Sequence, residues 1–321
     1  MKSVLSVQSH VVHGYVGGRA ATFPLQYLGW DVDNINTVNF SNHTGYGFVR
    51  GSAIEASNMT ALFHGLVDIK CKYDAIISGY IPSAELIDIM STNVQSLKTN
   101  KPSTIYVCDP VMGDQGQLYV SEDCVEAYRR LLHEGQVDII TPNHFELELL
   151  SGCKIINETD LKIATDYLHK TCKIKHIVIT SLGDEFKLGA KSHSDTIYCA
   201  VSSSDDSSLQ YFRIPVIKSY FTGVGDLFTA LLLDKFYNNP KNIMVAVNQV
   251  LTIMADVLKL TLKLGKEEYC EYKKIHTLEN EDILEGKMND ADSMRFFELR
   301  VIQAREFYNY TGEGQFEPVS S

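Results

Sequence analysis

The sequence predicts an α/β protein in which a mostly parallel sheet is covered by helices on both faces. Three observations carry that expectation. Short β-rich runs alternate with longer helical patterns over the first 180 residues or so. Unusual polar and glycine residues fall just after the strand ends, which is where ligands collect in such sheets. From Glu185 to Ile214 the pattern changes to short strand-like pieces (FKLGA, DTIYCAV, LQYFRI) around the polar SSSDDSS, which reads as antiparallel edge strands with an exposed loop.

Taken in order, the expected strands are Val4–Gln8, Val32–Asn39, Ala75–Ser78, Ile105–Cys108, Val137–Thr141 and Ile177–Thr180. Helical spacing predicts helices around Ser52–Gly65, Ala84–Leu97, Ser121–His133, Phe145–Leu150 and Leu161–His169. The glycine-rich His13–Arg19 stretch reads as a turn or as a loop closing over a ligand. After residue 221 the chain turns helical again, with Ile243–Leu264 and Met294–Tyr308 as long candidates. Leu278–Asp292, acidic and poor in apolar residues, reads as a surface linker, and residues 312–321 as a disordered tail. No repeat or sharp change of composition divides residues 1–321, so a single domain is expected.

Composition narrows the function classes. The chain has 321 residues, is 45% hydrophobic and 21% charged, and carries a formal net charge of −11. Such a balance suits a globular protein and argues against nucleic acid or an anionic membrane as the main partner, since both need a basic footprint. The N-terminus has no signal-peptide pattern, and no apolar run reads as membrane-spanning, so a soluble cytoplasmic chain is expected, with the nucleus also open. The cysteines (71, 108, 124, 153, 172, 199, 270) are odd in number and scattered, which fits reduced thiols. His10 and His13 have no cysteine or acid at ligand spacing, so a structural zinc is not expected.

The richest stretch is Phe221–Ala230, FTGVGDLFTA. Two glycines flank one valine, and an apolar run follows at helical spacing, as in a loop that turns into a helix. Free N–H groups and the positive end of the helix dipole attract an anion over Gly223, Gly225 and Asp226. Asp226 would repel that anion unless it is there to take a proton from an attacking hydroxyl. The plainer alternative is that Asp226 only complements the dipole. Asp109-Pro-Val-Met-Gly-Asp114 sets two carboxylates around a turn, either as ligands for Mg²⁺ or as solvated acids. In Thr141-Pro-Asn-His-Phe-Glu146, Asn143 and Glu146 form a helix-capping pattern, and the same pair could orient a hydrated ion and phosphates. The P-loop pattern and the dinucleotide fingerprint are both missing.

These pieces share a resemblance. SVQSHVVHGYVGGRAATFPLQYLGWDVD, NFSNHTGYG, SGY, CDPVMGD, DIITPNHFELELL, VITS and FTGVGDLF, in this order and spacing, resemble pyridoxal kinases of the ribokinase-like superfamily, with the look of a fungal-type eukaryotic member. The match runs from about Val4 to Leu233. It implies a three-layer α/β/α domain without a separate lid, a homodimer, and transfer of the γ-phosphate of MgATP to the 5′-hydroxyl of a B6 vitamer. By the same resemblance Asp226 is the base and Gly223, Val224, Gly225 and Asp226 form the anion hole. Ser9, Thr44 and Tyr80 contact the pyridine ring between Val16 and Phe40. Asp109, Asp114, Thr141, Asn143 and Glu146 manage the phosphates and cations, Mg²⁺ with K⁺ or Na⁺. Thr180, Ser181, Ile217 and Ser219 lie on the nucleotide side.

Two departures stand out: Val224 occupies a position where many relatives have threonine, and QGQLYV after Asp114 is short. Three other readings are kept beside this one: a hydroxymethylpyrimidine kinase of the same fold, a non-catalytic vitamin or nucleotide binder, and a nicotinamide oxidoreductase.

Overall fold

Continuous apolar runs place the sheet at the centre. The computed structural model describes residues 1–183, 186, 188, 195–276 and 283–319. β1 (Lys2–Val11) is buried from Val4 to Ser9, as expected of a strand covered on both faces. The chain continues through α1 (Gly18–Tyr27), β2 (Trp30–Phe40), a 3₁₀ turn at Thr44–Tyr46, β3 (Gly51–Ala53), α2 (Ala56–Asp68), β4 (Ala75–Ser78), α3 (Ala84–Asn100) and β5 (Ile105–Cys108). It goes on through the small hairpin β6 (Gly113–Asp114) and β7 (Gln117–Leu118), then α4 (Glu122–His133), β8 (Ile139–Ile140), α5 (His144–Ser151), α6 (Glu158–Cys172) and β9 (His176–Leu182). The remainder is β10 (Thr196–Ser203), β11 (Asp206–Pro215), α7 (Val224–Asn238), α8 (Ile243–Ile275), α9 (Ala291–Met294), a 3₁₀ turn at Arg305–Asn309 and β12 (Pro318–Val319).

The main sheet runs β12-β11-β10-β9-β8-β5-β4-β1-β2-β3. Pairing is parallel from β2 across to β9 and antiparallel at both flanks. Alternation along the strands splits the core. Ile76, Tyr106 and Ile177 pack with Phe63, Met90 and Leu161 of α2, α3 and α6 on one face. Ile77, Val107 and Val178 pack with Leu231 and Val250 of α7 and α8 on the other. The result is the expected α/β/α stack of three layers. Chain order reverses at β1, with β2 on one side and β4 on the other, and a crevice opens beyond their carboxyl ends.

Several expectations are corrected. Residues 18–27 form α1, with Pro24 inside it. Gly14 and Gly17, at φ 92° and 53°, make the turn ahead of it. The helix expected over Met294–Tyr308 breaks after Met294, because Phe296, Phe297, Glu298 and Leu299 are buried in succession, and four consecutive residues cannot share one helix face. The described part of the acidic linker, 283–292, is docked: Gly286 accepts from the Tyr220 N–H (2.9 Å) and Asn289 donates to the Gly45 carbonyl (2.7 Å).

The tail is ordered through Val319. β12 pairs with β11, and Phe316 exchanges backbone bonds with the Asn248 side chain. Two residues connect β10 and β11, a tighter turn than the expected loop, and FKLGA falls largely outside the described residues. α8 reaches 33 residues and is long and apolar enough to cross a membrane, although 56% of its apolar window is buried inside the protein. All seven cysteines are unpaired.

Candidate active site

The crevice beyond the switch point is a cleft of about 400 Å³. Its lining includes Ser9, Val16, Phe40, Thr44, Tyr80, Asp109, Asp114, Thr141, Asn143, Glu146, Thr180 and the whole turn from Gly223 to Asp226. Each arrives on a strand end or a helix start. Ser9 lies two residues before the end of β1, Phe40 ends β2, Tyr80 follows β4, Asp109 follows β5, and Thr141 follows β8. Three expected nucleotide-side residues fall elsewhere. Ser181 lines an adjoining cavity that shares Asp114 with the cleft. Ile217 and Ser219 line neither; the Ser219 hydroxyl instead accepts from the Gly286 N–H (2.9 Å) and holds the 286 segment in place.

The start of α7 meets the acidic turn directly. Gly223 is the helix cap at φ 77°, and a β-carbon there would sit 1.9 Å from the Tyr15 carbonyl oxygen, so only glycine fits. A β-carbon on Gly225 would lie 3.4 Å from Asp109 Oδ2, in ordinary contact. The helix start and the turn after β5 therefore face one another across the same space. Across the sheet switch, a β-carbon on Gly79 would stand 3.3 Å from Asp226 Oδ1, so glycine there leaves the carboxylate room.

Three acids share this pocket. Asp109, 5% exposed, has its pKa raised well above the usual carboxylate value, chiefly by burial and then by the charges of Glu146 and Asp226. Burial also raises Asp226, against the Gly17 backbone N–H that favours its charged form. Desolvation thus outweighs the stabilisation that a helix start gives a carboxylate. Glu146, 4% exposed, is pushed up to about 7 by burial, although its oxygens accept from the backbone N–H groups of Met112 (2.9 Å), Gly113 (3.4 Å) and Asn143 (2.9 Å). Asn143 Oδ1 accepts from Glu146 N in return, so the capping box is real. Glu146 thereby fixes the Met112–Gly113 turn. Among the described residues no three Asp, Glu, His or Cys side chains form a ready-made metal cage. A site with one or two carboxylates, completed by water and substrate phosphates, suits Mg²⁺ without such a cage.

The sequence reading missed several contributors. Thr229, one turn into α7 and fully buried, lies 2.9 Å hydroxyl to hydroxyl from Thr141 and donates to Asp109 Oδ2 (3.4 Å). Its i+3 position after Asp226 was the available signal. His43 and Tyr119 also line the cleft. Glu298 accepts from the Tyr46 hydroxyl (2.7 Å) and the Tyr15 N–H (3.0 Å), pinning the loops that carry Thr44 and Val16 from more than 250 residues away. No local pattern marks it.

Comparison with known proteins agrees with this geometry. A family model described as phosphomethylpyrimidine kinase matches residues 41–270. The Saccharomyces cerevisiae protein BUD16 is 44% identical over 319 residues, covering 96% of this chain and 95% of that one. Pyridoxal kinase of Sus scrofa is 40% identical over 272 residues, 82% of this chain and 84% of its own. The chain belongs to the pyridoxal kinase family. The solved pyridoxal kinase from Leishmania donovani in complex with ADP and pyridoxamine superposes with a TM-score of 0.81 at 31% identity, covering 99% of this chain and 100% of that one. The ribokinase-like fold expected from the motifs is the fold observed.

Proposed function

We propose that this protein transfers the γ-phosphoryl group of ATP to the 5′-hydroxyl of pyridoxal, pyridoxine or pyridoxamine. The observation that carries the reading is the meeting of Asp226, Gly225 and Asp109 on one cleft, with a β-carbon on Gly225 in contact distance of Asp109 Oδ2. The pyridine ring lies between Val16 and Phe40, with Ser9, Thr44 and Tyr80 at its polar edge. The 5′-hydroxyl then points at Asp226. As the new O–P bond forms and the bond to the β-phosphate oxygen breaks, Asp226 accepts the hydroxyl proton and ADP leaves.

Burial makes Asp226 a stronger base than a free carboxylate, which suits that role. The amides at 223–225 stabilise charge on the transferring oxygens, and in phosphoryl transfer this term outweighs proton removal. Asp109 and Asp114 would hold Mg²⁺, with Thr141, Asn143 and Glu146 orienting them; the ion supplies neutralising charge to the ATP phosphates. Three buried or cleft-facing acids crowded together favour a cation there on electrostatic grounds. K⁺ or Na⁺ serves as an accessory ion, Thr180 faces the nucleotide from the cleft and Ser181 from the adjoining cavity, and the active species is a cytoplasmic homodimer.

ATP-dependent formation of pyridoxal 5′-phosphate by the purified protein, with and without Mg²⁺ and K⁺, tests this reading. Turnover is expected only with ATP and a divalent cation. Since the matching family model is named for a pyrimidine kinase, hydroxymethylpyrimidine is the competitor to include; phosphorylation of it in preference to pyridoxal would transfer the assignment.

A further inference from the structure

The loop between β11 and α7 brings a phenol to the cleft just ahead of the anion turn. Tyr220 lines the cleft with Gly223, Val224, Gly225 and Asp226, and is itself partly buried. Its backbone is fixed from outside: the Tyr220 N–H donates to the Gly286 carbonyl (2.9 Å), and the Gly286 N–H donates to the neighbouring Ser219 hydroxyl (2.9 Å). The Tyr220 hydroxyl, in contrast, has no hydrogen-bond partner among the described residues. The side-chain atoms that are both sealed and unpartnered belong to Gln8, His176, Tyr211 and Arg300, so the Tyr220 oxygen is open to the cleft it lines. A rigidly held donor with nothing to bond is an arrangement that a ligand completes.

Three neighbours place that hydroxyl. A β-carbon on Gly45 would stand 3.3 Å from it, so the phenol reaches across to the turn that carries Thr44. Burial, then the charge of Asp114, raise the Tyr220 pKa. The Tyr119 hydroxyl is pushed up to about 12 by burial, then by Asp114 and by Tyr220 itself. The Tyr220 oxygen therefore stands between the Thr44 turn and the acid at 114, with the amides of 223–225 following it in the chain. On the reading of this cleft as that of a B6 vitamer kinase, on which this inference rests, the space between the ring contacts and the cation-binding acid is where the phosphoryl group passes. Val224 brings no side-chain donor there. A phenol does, and as a neutral O–H it can donate to an anion beside Asp114 without losing its proton.

We propose that Tyr220 is a further catalytic residue, whose O–H donates a hydrogen bond to an oxygen of the phosphoryl group as it passes from ATP to the 5′-hydroxyl and holds the same oxygen in the 5′-phosphate product. Tyr220 keeps its proton throughout; the proton of the attacking hydroxyl goes to Asp226. A donor preorganised toward the transferring oxygens stabilises the transition state and the phosphorylated product, and leaves the free vitamer unaffected.

Tyr220→Phe removes the oxygen and keeps the ring. Titration calorimetry on the full-length protein with MgADP present compares pyridoxine with pyridoxine 5′-phosphate, neither of which carries an aldehyde to react with lysine. The variant should bind pyridoxine within about two-fold of the parent and the 5′-phosphate about ten-fold or more weaker, the loss expected of one hydrogen bond to a charged group. With MgATP, kcat should fall about ten-fold or more while the KM for pyridoxine stays within about two-fold. The melting temperature should match the parent's, since the hydroxyl bonds nothing in the protein. Equal weakening of both ligands would make Tyr220 a ring contact or a support of the Thr44 turn and overturn the proposal, as would unchanged binding of the 5′-phosphate. A parent protein that fails to phosphorylate pyridoxine would sink the kinase reading and this inference with it, a failure seen before any variant is compared.

Discussion

Burial decides the chemistry of the individual acids in the cleft. Asp226, Asp109 and Glu146 are all raised above the ordinary carboxylate range, so the pocket is poised to accept protons and a cation. Asp226→Asn keeps the side-chain shape and removes the base, and kcat should fall by about a hundred-fold or more while the KM for ATP changes little; steady-state kinetics with each substrate varied in turn checks this. Thr229→Val removes the hydroxyl from both Thr141 and Asp109, and should cost about 1–3 kcal/mol in stability or in transition-state binding, seen as a lower urea midpoint or a lower kcat/KM. His43 shows the opposite shift. Burial lowers its pKa to about 4, and its Nδ1 must stay unprotonated to accept from the Gly45 N–H at 3.0 Å. The unfolded state therefore binds the proton first, and this histidine's share of stability is complete above about pH 6.5 and lost as pH falls toward 4. His43→Asn, which can accept the same bond, should flatten the fall of the urea midpoint over that window; His176, lowered to about 4 as well, should leave part of the slope in place.

Local elements were legible where a face or a cap wrote them into the chain. Ala75–Ser78 and Ile105–Cys108 appear at the expected residues, because short apolar runs flanked by polar turns have few other solutions. The helix α1 was hidden by Pro24 and by a glycine turn with no capping side chain, and packing against α7 and the sheet supplies what propensity lacks. The start of α7 allows a paired prediction. Gly223→Ala must meet both a left-handed backbone and the Tyr15 carbonyl, so it should lower Tm sharply and abolish activity. Gly225→Ala enters a helix at contact distance from Asp109, so stability should stay within about 1 kcal/mol of the parent while kcat falls. Thermal melts and kinetics of the two variants side by side separate anion-hole geometry from folding.

Across the whole molecule, distant segments converge to hold the cleft. The 286–289 stretch ties Tyr220 to Gly45, Glu298 ties Tyr15 to Tyr46, and the tail closes the β11 edge. Truncation after residue 311 should cost about 3 kcal/mol, from partial burial of Phe316 and the backbone bonds to Asn248 and Thr252, and should leave a bare strand edge that aggregates. Chemical denaturation and light scattering measure the two effects. From the sequence alone came the layer order, the strands of the parallel sheet, and the residues at their carboxyl ends, because hydrophobic period and turn chemistry are local properties. Only the tertiary structure decided that Thr229 backs Asp109, that Ser219 serves the 286 segment rather than the cleft, and that Glu298 braces two loops from the far end of the chain. Those contacts join residues with no shared period, and desolvation, which sets the acids' proton affinity, exists only once the layers have closed over them.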